Sequence, residues 1–562
     1  MPTLSPTVPA LTTTRTSSFY GRFLLLIAGL GGLLYGIDVG IISAALLYLA
    51  KTIDLTVTQT SFIVAAVLGG SMFSSLVAGI LADLLGRKKM MIVSGLLFVM
   101  SVVLIVLSQG FMMLFLGRLL QGISGGVIAV LVPLYLAETL PASTRGRGSA
   151  IFQFMLTLGI VLAAAIGWYF IRHAEMQIAA AAGDAALIHA AEDHAWRGMF
   201  LSVMVPGLLF FLGTFGLSET PRWLLRKGRV QKARASLMRL ATEDEADHEI
   251  AAIQAANDES QNTKSQHAGS LLQRKYVFPF VLACVILACN QATGINSILG
   301  YLAVILKQAG MSPAHATQGD FAVKLVNCVI SLLAVSLIDR KGRKFLLTIG
   351  TAGIVLTLSF TALLFHKEEA RRVDVTSQVR SHMENGSLQL ASADLTAWSS
   401  DHAPTALTVI YSDGQGEKIA TLASSGHDEL SLAPQTSYGV TAIQIRAANI
   451  LPQPSNMQSW AIAFSLGLFI VCFAIGPGVV VWLTLSELMP TRIRSIGMGV
   501  ALLLNQGVST LIAGMFLPTV THHGYAVMFA IWALCSVVYF VAAAFFLPET
   551  KGRTLEEIEQ SF

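Results

Sequence analysis

Charge is what this chain lacks. Of its 562 residues only 12% are Asp, Glu, Lys or Arg, about half of the roughly 25% carried by a soluble domain. With 54% hydrophobic residues and a mean hydropathy of +0.66, a string of soluble domains is excluded for a chain of this length. Cysteine is scarce too. The five present (Cys284, Cys289, Cys328, Cys472, Cys535) all fall in apolar segments at spacings that match no metal site, so they read as inert buried thiols. No nucleotide-binding or nucleophile constellation stands out. An enzymatic reading is therefore rejected, and no cofactor, metal or nucleic acid is expected.

What is present is a series of apolar runs of membrane-spanning length. They fall at about 22–50, 58–82, 90–109, 111–137, 148–171 and 198–217, then at about 276–306, 320–338, 345–365, 458–485, 496–519 and 524–547. The first run is too long for a signal-peptide core and reads as a retained helix. Twelve helices in two sixes make an all-α polytopic membrane protein. Lys and Arg cluster after the even-numbered runs, as at Arg87, Lys88, Lys89, Arg145 and Arg147, whereas the turns at 108–110 and 520–523 hold none. That asymmetry predicts even-numbered helices ending in the cytoplasm, with both termini cytoplasmic. The expected location is the cell membrane, the inner one in a bacterium, with the lipid bilayer as partner.

The charged loops repeat. Asp83, Gly86 and Arg87 precede Glu138, Pro141 and Arg145; Asp339, Gly342 and Arg343 precede Glu487, Pro490 and Arg494 with identical internal spacing. Leu217, Glu219 and Thr220 return as Leu547, Glu549 and Thr550. A duplicated helix set with matched charged hinges is the sequence pattern of a two-halved transporter. The organisation that follows is an N-terminal tail (1–21), a first six-helix bundle (22–217), a linker of short surface helices (218–275), a second bundle (276–547) and a C-terminal tail (548–562). One interval breaks the symmetry. Asp83 and Glu138 are 55 residues apart, but Asp339 and Glu487 are 148 apart, a difference of 93. The surplus is an external insertion at 366–456. Leu407–Tyr411 and Lys418–Leu422 alternate around a Ser-Asp-Gly-Gln-Gly turn, and Tyr438–Ile445 is strand-like. A small β-rich module is expected, with a partly disordered loop as the alternative.

Two charges fall inside apolar runs. Asp38 lies in the first and Arg118 in the fourth, roughly 18 and 10 Å from the outer membrane boundary at 1.5 Å per helical residue. An unpaired charge at such depth costs at least ~2.5–3.5 kcal/mol, so the two are expected to pair. The plain alternative is a fixed ion pair that only tightens the bundle. The functional reading is a proton switch, in which Arg118 keeps Asp38 ionised until the two separate.

These residues resemble the sugar porter family of the major facilitator superfamily, over Gly31 to Glu557 apart from the insertion. The resemblance rests on Gly31-Gly32 through Asp38, on Gly79-x-Leu81-Ala82-Asp83-x-x-Gly86-Arg87-Lys88 and on Pro133-x-Tyr135-x-Ala137-Glu138. Glu219-Thr220-Pro221-Arg222-Trp223-Leu224 and Pro548-Glu549-Thr550-Lys551-Gly552-Arg553 complete it. It implies two bundles around a central cavity that opens alternately to each side. Asp83, Arg87, Glu138, Arg145, Asp339, Arg343, Glu487 and Arg494 then become a cytoplasmic gate. It also implies a polyol-binding set: Gln153, Gln291 and Asn296 as amides, Trp482 as a stacking face, and Asn290, Tyr301 and Asn505 around them. Amides suit hydroxyl-rich solutes because each offers donors and an acceptor. The chain departs from the family pattern at Asn290, where the first of two glutamines is usual, and at Gly300, where the first of two tyrosines is usual. Gln506, Ser509, Val479 and Val481 also replace usual residues, so the second half of the pocket is remodelled.

The reading that follows is proton-coupled symport of a monosaccharide or related polyol, by a monomer. A passive uniporter and a non-transporting nutrient sensor of the same fold are the alternatives. So is a binding or adhesion protein built on a transporter scaffold.

Overall fold

The computed structural model describes residues 18–140, 142–263, 274–398, 405–424, 429–434, 442–452, 454–489 and 494–551. The first half contains α1 (Ser18–Thr52), α2 (Val57–Leu85), α3 (Arg87–Val106), α4 (Phe111–Thr139), α5 (Ala142–Ala180), α6 (Ala185–Ser202) and α7 (Met204–Phe215). Linker helices α8 (Pro221–Arg226), α9 (Val230–Leu237) and α10 (Glu243–Thr263) follow. The second half opens with α11 (Arg274–Ala292), α12 (Ile295–Gln308), α13 (Pro313–Lys341) and α14 (Arg343–Glu369). Beyond the insertion, which carries α15 (Thr376–Ser381) and α16 (Ser392–Trp398), come α17 (Asn456–Ile475), α18 (Pro477–Leu488) and α19 (Arg494–Val541). A π-helical turn, Ala542–Phe546, ends the last pass.

Among the described residues eleven helical stretches are long and apolar enough to cross a membrane, and the last of them, 50 residues long, reverses at Gly524 (φ 86°) and makes two passes. Twelve passes result, as the repeat requires. Large apolar side chains such as Phe73, Leu84, Leu212, Leu356 and Phe464 face outward, while Asp38, Arg118, Gln121 and Asn290 are buried. A water-soluble fold has the opposite arrangement; a lipid-facing bundle requires this one.

The fifth and sixth passes are longer than the apolar runs. Good helix formers, among them Ala174, Glu175, Met176, Gln177, Ala179 and Ala180, carry α5 on to Ala180. Asp184 then caps α6 by accepting from the amides of Ala186 and Leu187. Two passes are broken within the bundle, at Gly294 between α11 and α12 and at Gly476 between α17 and α18.

Three reversals share one device. Gly86 (φ 102°), Gly342 (φ 90°) and Gly524 (φ 86°) take backbone conformations that L side chains rarely adopt. Each is followed by a helix whose first amides bond to a distant glutamate. Glu219 accepts from Arg87 N at 2.9 Å and Lys88 N at 3.2 Å. Glu549 accepts from Arg343 N at 3.0 Å and Lys344 N at 3.2 Å. Glu369 accepts from Tyr525 N at 2.6 Å and Ala526 N at 3.3 Å. A carboxylate there satisfies orphan donors and meets the positive end of the helix dipole. This is the physical task of the repeated Leu-x-Glu-Thr mark.

The insertion contains two antiparallel sheets. β1 (Val373–Asp374), β4 (Thr405–Ser412), β5 (Glu417–Ala423) and β7 (Gln444–Pro452) form one in the order β1-β7-β4-β5. β2 (Met383–Glu384), β3 (Ser387–Ala391) and β6 (Glu429–Leu432) form the other, in the order β2-β3-β6. Among the described residues the β-rich alternative holds. β4 and β5 are the expected hairpin, paired from Ala406–Ala423 to Ser412–Glu417. Of the strand expected at 438–445, residues 438–441 lie outside the described residues, and β7 begins at Gln444. The hairpin tip lies on the turn joining α1 and α2. Lys418 is paired with Asp54 of that turn and with Asp413, while Glu417 meets His522 beside the α19 reversal at 2.9 Å. Burial opposes the Lys418 ammonium, but the two carboxylates outweigh it and hold its pKa above the usual lysine value. The module therefore occupies the face opposite the Gly86 and Gly342 loops. The two faces are called the module side and the charged-loop side.

Gly342→Ala is expected to lower the melting temperature, because its conformation (φ 90°, ψ 163°) costs an L residue ~1–3 kcal/mol and the added methyl would sit 2.6 Å from the Glu549 carboxylate. Gly499→Ala, where a methyl meets nothing within 4 Å, is the control and should leave melting unchanged or raise it slightly.

Candidate functional site

The two charges of the first and fourth apolar runs meet. Arg118 Nη1 on α4 donates to Asp38 Oδ1 on α1 at 3.1 Å, and both side chains are 1% exposed. Arg118 also donates to Gln121 Oε1 at 2.7 Å and lies over the Phe200 ring, 5.6 Å from its centroid. Gly125 leaves room for the carboxylate, since a methyl there would stand 3.3 Å from Asp38 Oδ2. That second oxygen is buried and has no hydrogen-bond partner among the described residues. The pair is thus half satisfied: one oxygen is held by the guanidinium and one is left open as an acceptor.

A second polar centre grows from the break between α11 and α12. Gly294 (φ 80°) packs against the Trp532 indole so closely that any β-carbon would collide with the ring. This stops α11 in mid-membrane and places its last-turn amides beside α19. Asn290 donates to the Pro477 carbonyl at 3.2 Å and the Tyr539 hydroxyl at 3.4 Å. Gln291 donates to Asn290 Oδ1 and Asn505 Oδ1, both at 3.3 Å. Asn296 donates to Gln291 Oε1 at 2.9 Å and Ser509 Oγ at 2.8 Å. Asn505 donates in turn to the Leu287 carbonyl at 3.0 Å. Four predicted residues (Asn290, Gln291, Asn296, Asn505) therefore form one hydrogen-bonded cluster, and Ser509, one of the departures, belongs to it. Such a cluster exchanges internal bonds for bonds to a hydroxylated solute without leaving amides bare.

The remaining predicted contacts stand apart from it. Gln153 on α5 is exposed, and Trp482 on α18 is 45% exposed. Tyr301 is fully buried, its ring stacked 4.4 Å from that of Phe516 and its hydroxyl donating to the Ala513 carbonyl at 3.3 Å. Tyr301 is thus a packing residue in this state.

On the charged-loop side Arg87 Nη2 pairs with Asp83 at 2.7 Å and Glu138 at 2.9 Å. Thr220 donates to the other Glu138 oxygen at 2.7 Å. The second half repeats this more loosely: Arg343 meets Glu487 at 3.2 Å, and Thr550 donates to Glu487 at 2.6 Å. Arg226, not predicted, adds contacts to Asp83 at 3.2 Å and Glu138 at 3.8 Å. Each of these networks lies within one half. The side chains of Arg145, Asp339 and Arg494 lie outside the described set.

This geometry has known counterparts. The family model for sugar (and other) transporters matches residues 24–379 and 435–562. The chain belongs to the sugar porter family of the major facilitator superfamily. Its relatives include a glucose transporter of Staphylococcus epidermidis, 28% identical over 96% of each chain. The proton myo-inositol cotransporter of Homo sapiens is 28% identical over 95% of this chain and 81% of its own. Among solved structures, the inward-open form of the E. coli xylose transporter XylE aligns with a TM-score of 0.67 at 21% identity, covering 96% of this chain and 99% of that one. The fold of this sugar porter is thereby fixed, and family membership makes it a transporter rather than an enzyme.

One buried charged group of this sugar porter was missed. Asp320 and Lys324 on α13 pair at 2.8 Å with side chains 1% and 0% exposed. An apolar run of 320–338 starts on Asp320 and so sets that charge at the membrane boundary. The helix begins at Pro313, seven residues earlier, which carries Asp320 two turns into the bundle. Opposite charges four residues apart in an apolar window were the available signal.

The two charged-loop networks differ in burial, and their stabilities should differ accordingly. Arg87 and Glu138 are 2% and 5% exposed, against 15% and 18% for Arg343 and Glu487. Arg87→Ala strands a buried carboxylate and is expected to destabilise by ~3–5 kcal/mol. Arg343→Ala, with water at hand, should cost clearly less in the same thermal-unfolding measurement.

Proposed function

We propose that this sugar porter is a proton-coupled symporter of a monosaccharide or related polyol, with Asp38 as the proton site and Arg118 as its partner. The observation that carries the reading is the buried Asp38–Arg118 contact, in which one carboxylate oxygen is held and the other is unpartnered. While the guanidinium stays close, the carboxylate is stabilised ionised. When helix movement draws α1 from α4, the same desolvated group takes a proton, because an unpaired buried charge is far less stable than a neutral acid. Solute and proton are then linked through α1, which carries Asp38 and packs on α5 and α12. Two relatives, the human proton myo-inositol cotransporter and the galactose-proton symporter of Escherichia coli, are named for such coupling.

In this reading the amide cluster of Asn290, Gln291, Asn296 and Asn505 binds the solute hydroxyls. Gln153 and Trp482 close on it from the facing helices during the cycle. Asp83, Arg87, Glu138, Arg145, Asp339, Arg343, Glu487 and Arg494 form the gate of the charged-loop side. The Lys and Arg bias supports a cytoplasmic position for that side and for both termini, and an external position for the β-module.

Asp38→Asn is the test. The amide keeps the shape but cannot cycle a proton. Uphill accumulation of solute in proteoliposomes under an imposed pH gradient should be lost, while counterflow exchange of labelled for unlabelled solute continues. Accumulation equal to that of the unaltered protein contradicts the coupling role.

A further inference from the structure

The Asp320–Lys324 pair is bound on both sides to the other half of the molecule. Ser43 Oγ on α1 donates to Asp320 Oδ1 at 3.2 Å, while Lys324 Nζ donates to Asp320 Oδ2 at 2.8 Å and to the Gly40 carbonyl of α1 at 3.1 Å. Ser43 Oγ also accepts from the Ala303 amide of α12 at 2.9 Å. One hydroxyl and one carbonyl of the first half are therefore wired to two helices of the second. All four side chains or residues involved are buried: Gly40, Ser43, Asp320 and Lys324. Gly40 also lets α1 lie close against α5 of its own half, since a methyl there would stand 2.9 Å from Ala163 and 3.0 Å from the Ile160 carbonyl.

The placement is as informative as the bonding. Asp320 lies seven residues and Lys324 eleven from the start of α13, and Ser43 nine from the end of α1. These positions are roughly 10–17 Å along the helices from their module-side ends. Other cross-half hydrogen bonds occupy the same side or mid-depth: Ser61 Oγ accepts from the Leu517 amide at 3.2 Å, and Glu175 from the Ala314 amide at 3.1 Å. The described networks of the charged-loop side stay within their own halves. Opening toward the module side must draw α1 away from α12 and α13, and this cluster lies on that seam.

We propose that Asp320, Lys324 and Ser43 are positioning residues forming a latch between the halves, which holds the module side shut and is broken and remade in every transport cycle. The pair itself stays within α13 when the halves part, so neither charge is abandoned. Only the bonds to α1 and the Ser43 bridge to α12 are exchanged for water. A latch of this construction is reversible, because water entering the open seam takes over the released donors and acceptors. It is strong because a charged group is present in the contacts to α1. Ser43 is five residues after Asp38, so the helix that carries the proposed proton site also carries the latch contact. The inference rests on the alternating-access part of the proposed function and not on proton coupling.

The test uses a reporter thiol at Gly300 on α12. A methyl there lies 3.6 Å from Val64 and 3.8 Å from Ile42, both in the first half, so Gly300→Cys is accommodated yet enclosed while the module side is shut. The full-length protein carrying Gly300→Cys is labelled in intact cells with a membrane-impermeant maleimide, without added solute. The background is the same protein with Gly300 intact. Ser43→Ala removes the bridge and leaves the ion pair whole. Asp320→Asn combined with Lys324→Met removes both charges and strands neither. Each should raise the labelling rate by roughly tenfold, the scale of one charge-assisted hydrogen bond, and lower the apparent KM for external solute. Unchanged labelling with unchanged KM, even if thermal stability falls, overturns the latch and leaves the pair a structural brace. Should the double variant fail to assemble, Ser43→Ala alone decides. Labelling is read without solute or pH gradient, so Asp38→Asn failing its own test leaves this result standing.

Discussion

Asp38 and Arg118 hold each other's charge where neither lipid nor water will. A buried ion pair gains little net stability over apolar side chains of the same size, yet losing one partner is severely destabilising. Such a pair is therefore poor cement and a good switch, since its energy changes sharply with separation. The same constraint recurs at Asp320–Lys324 and at Arg87–Glu138, both almost inaccessible. Each buried cation of these pairs has its anion within 3.1 Å. Where the partners sit decides which helices must move together. Arg118 ties α4 to α1, Lys324 ties α13 to α1, and α1 becomes the element through which both act.

Backbone irregularity is confined to places where it performs a task. Gly86, Gly342 and Gly524 permit reversals in which a remote glutamate takes over the first amides of the next helix. These bonds fasten the ends of passes to the linker, to the C-terminal segment and to the module base. Gly294 instead interrupts a pass from within and gathers amides into the cluster shared with α19.

Much of this was legible from residue pattern alone. Twelve passes, the Asp38–Arg118 contact and the β4–β5 hairpin all follow from apolar runs, buried charge and turn residues. What escaped did so for physical reasons. Asp320 and Lys324 were hidden because apolar-run boundaries carry an error of a few residues, and two turns of polar-tolerant helix before residue 320 look like loop. Glu369 was hidden because its partner amides, at Tyr525 and Ala526, are 156 and 157 residues away. The docking of Lys418 on Asp54 joins segments 364 residues apart, and no local pattern reports such a contact. The stacking of Tyr301 on Phe516 likewise joins residues far apart in sequence.

The insertion adds a feature the two-halved scaffold does not need. It is rooted in the second half at α14 and α17 and touches the first through Lys418–Asp54, so it spans the seam that the latch closes from within. The most direct test of the central claim, that a buried acid couples solute to hydrogen ion, is the external pH recorded as solute enters lightly buffered vesicles holding the unaltered protein. The account predicts alkalinisation that begins with solute addition and scales with its uptake. Uptake at full rate with no change in pH would contradict it.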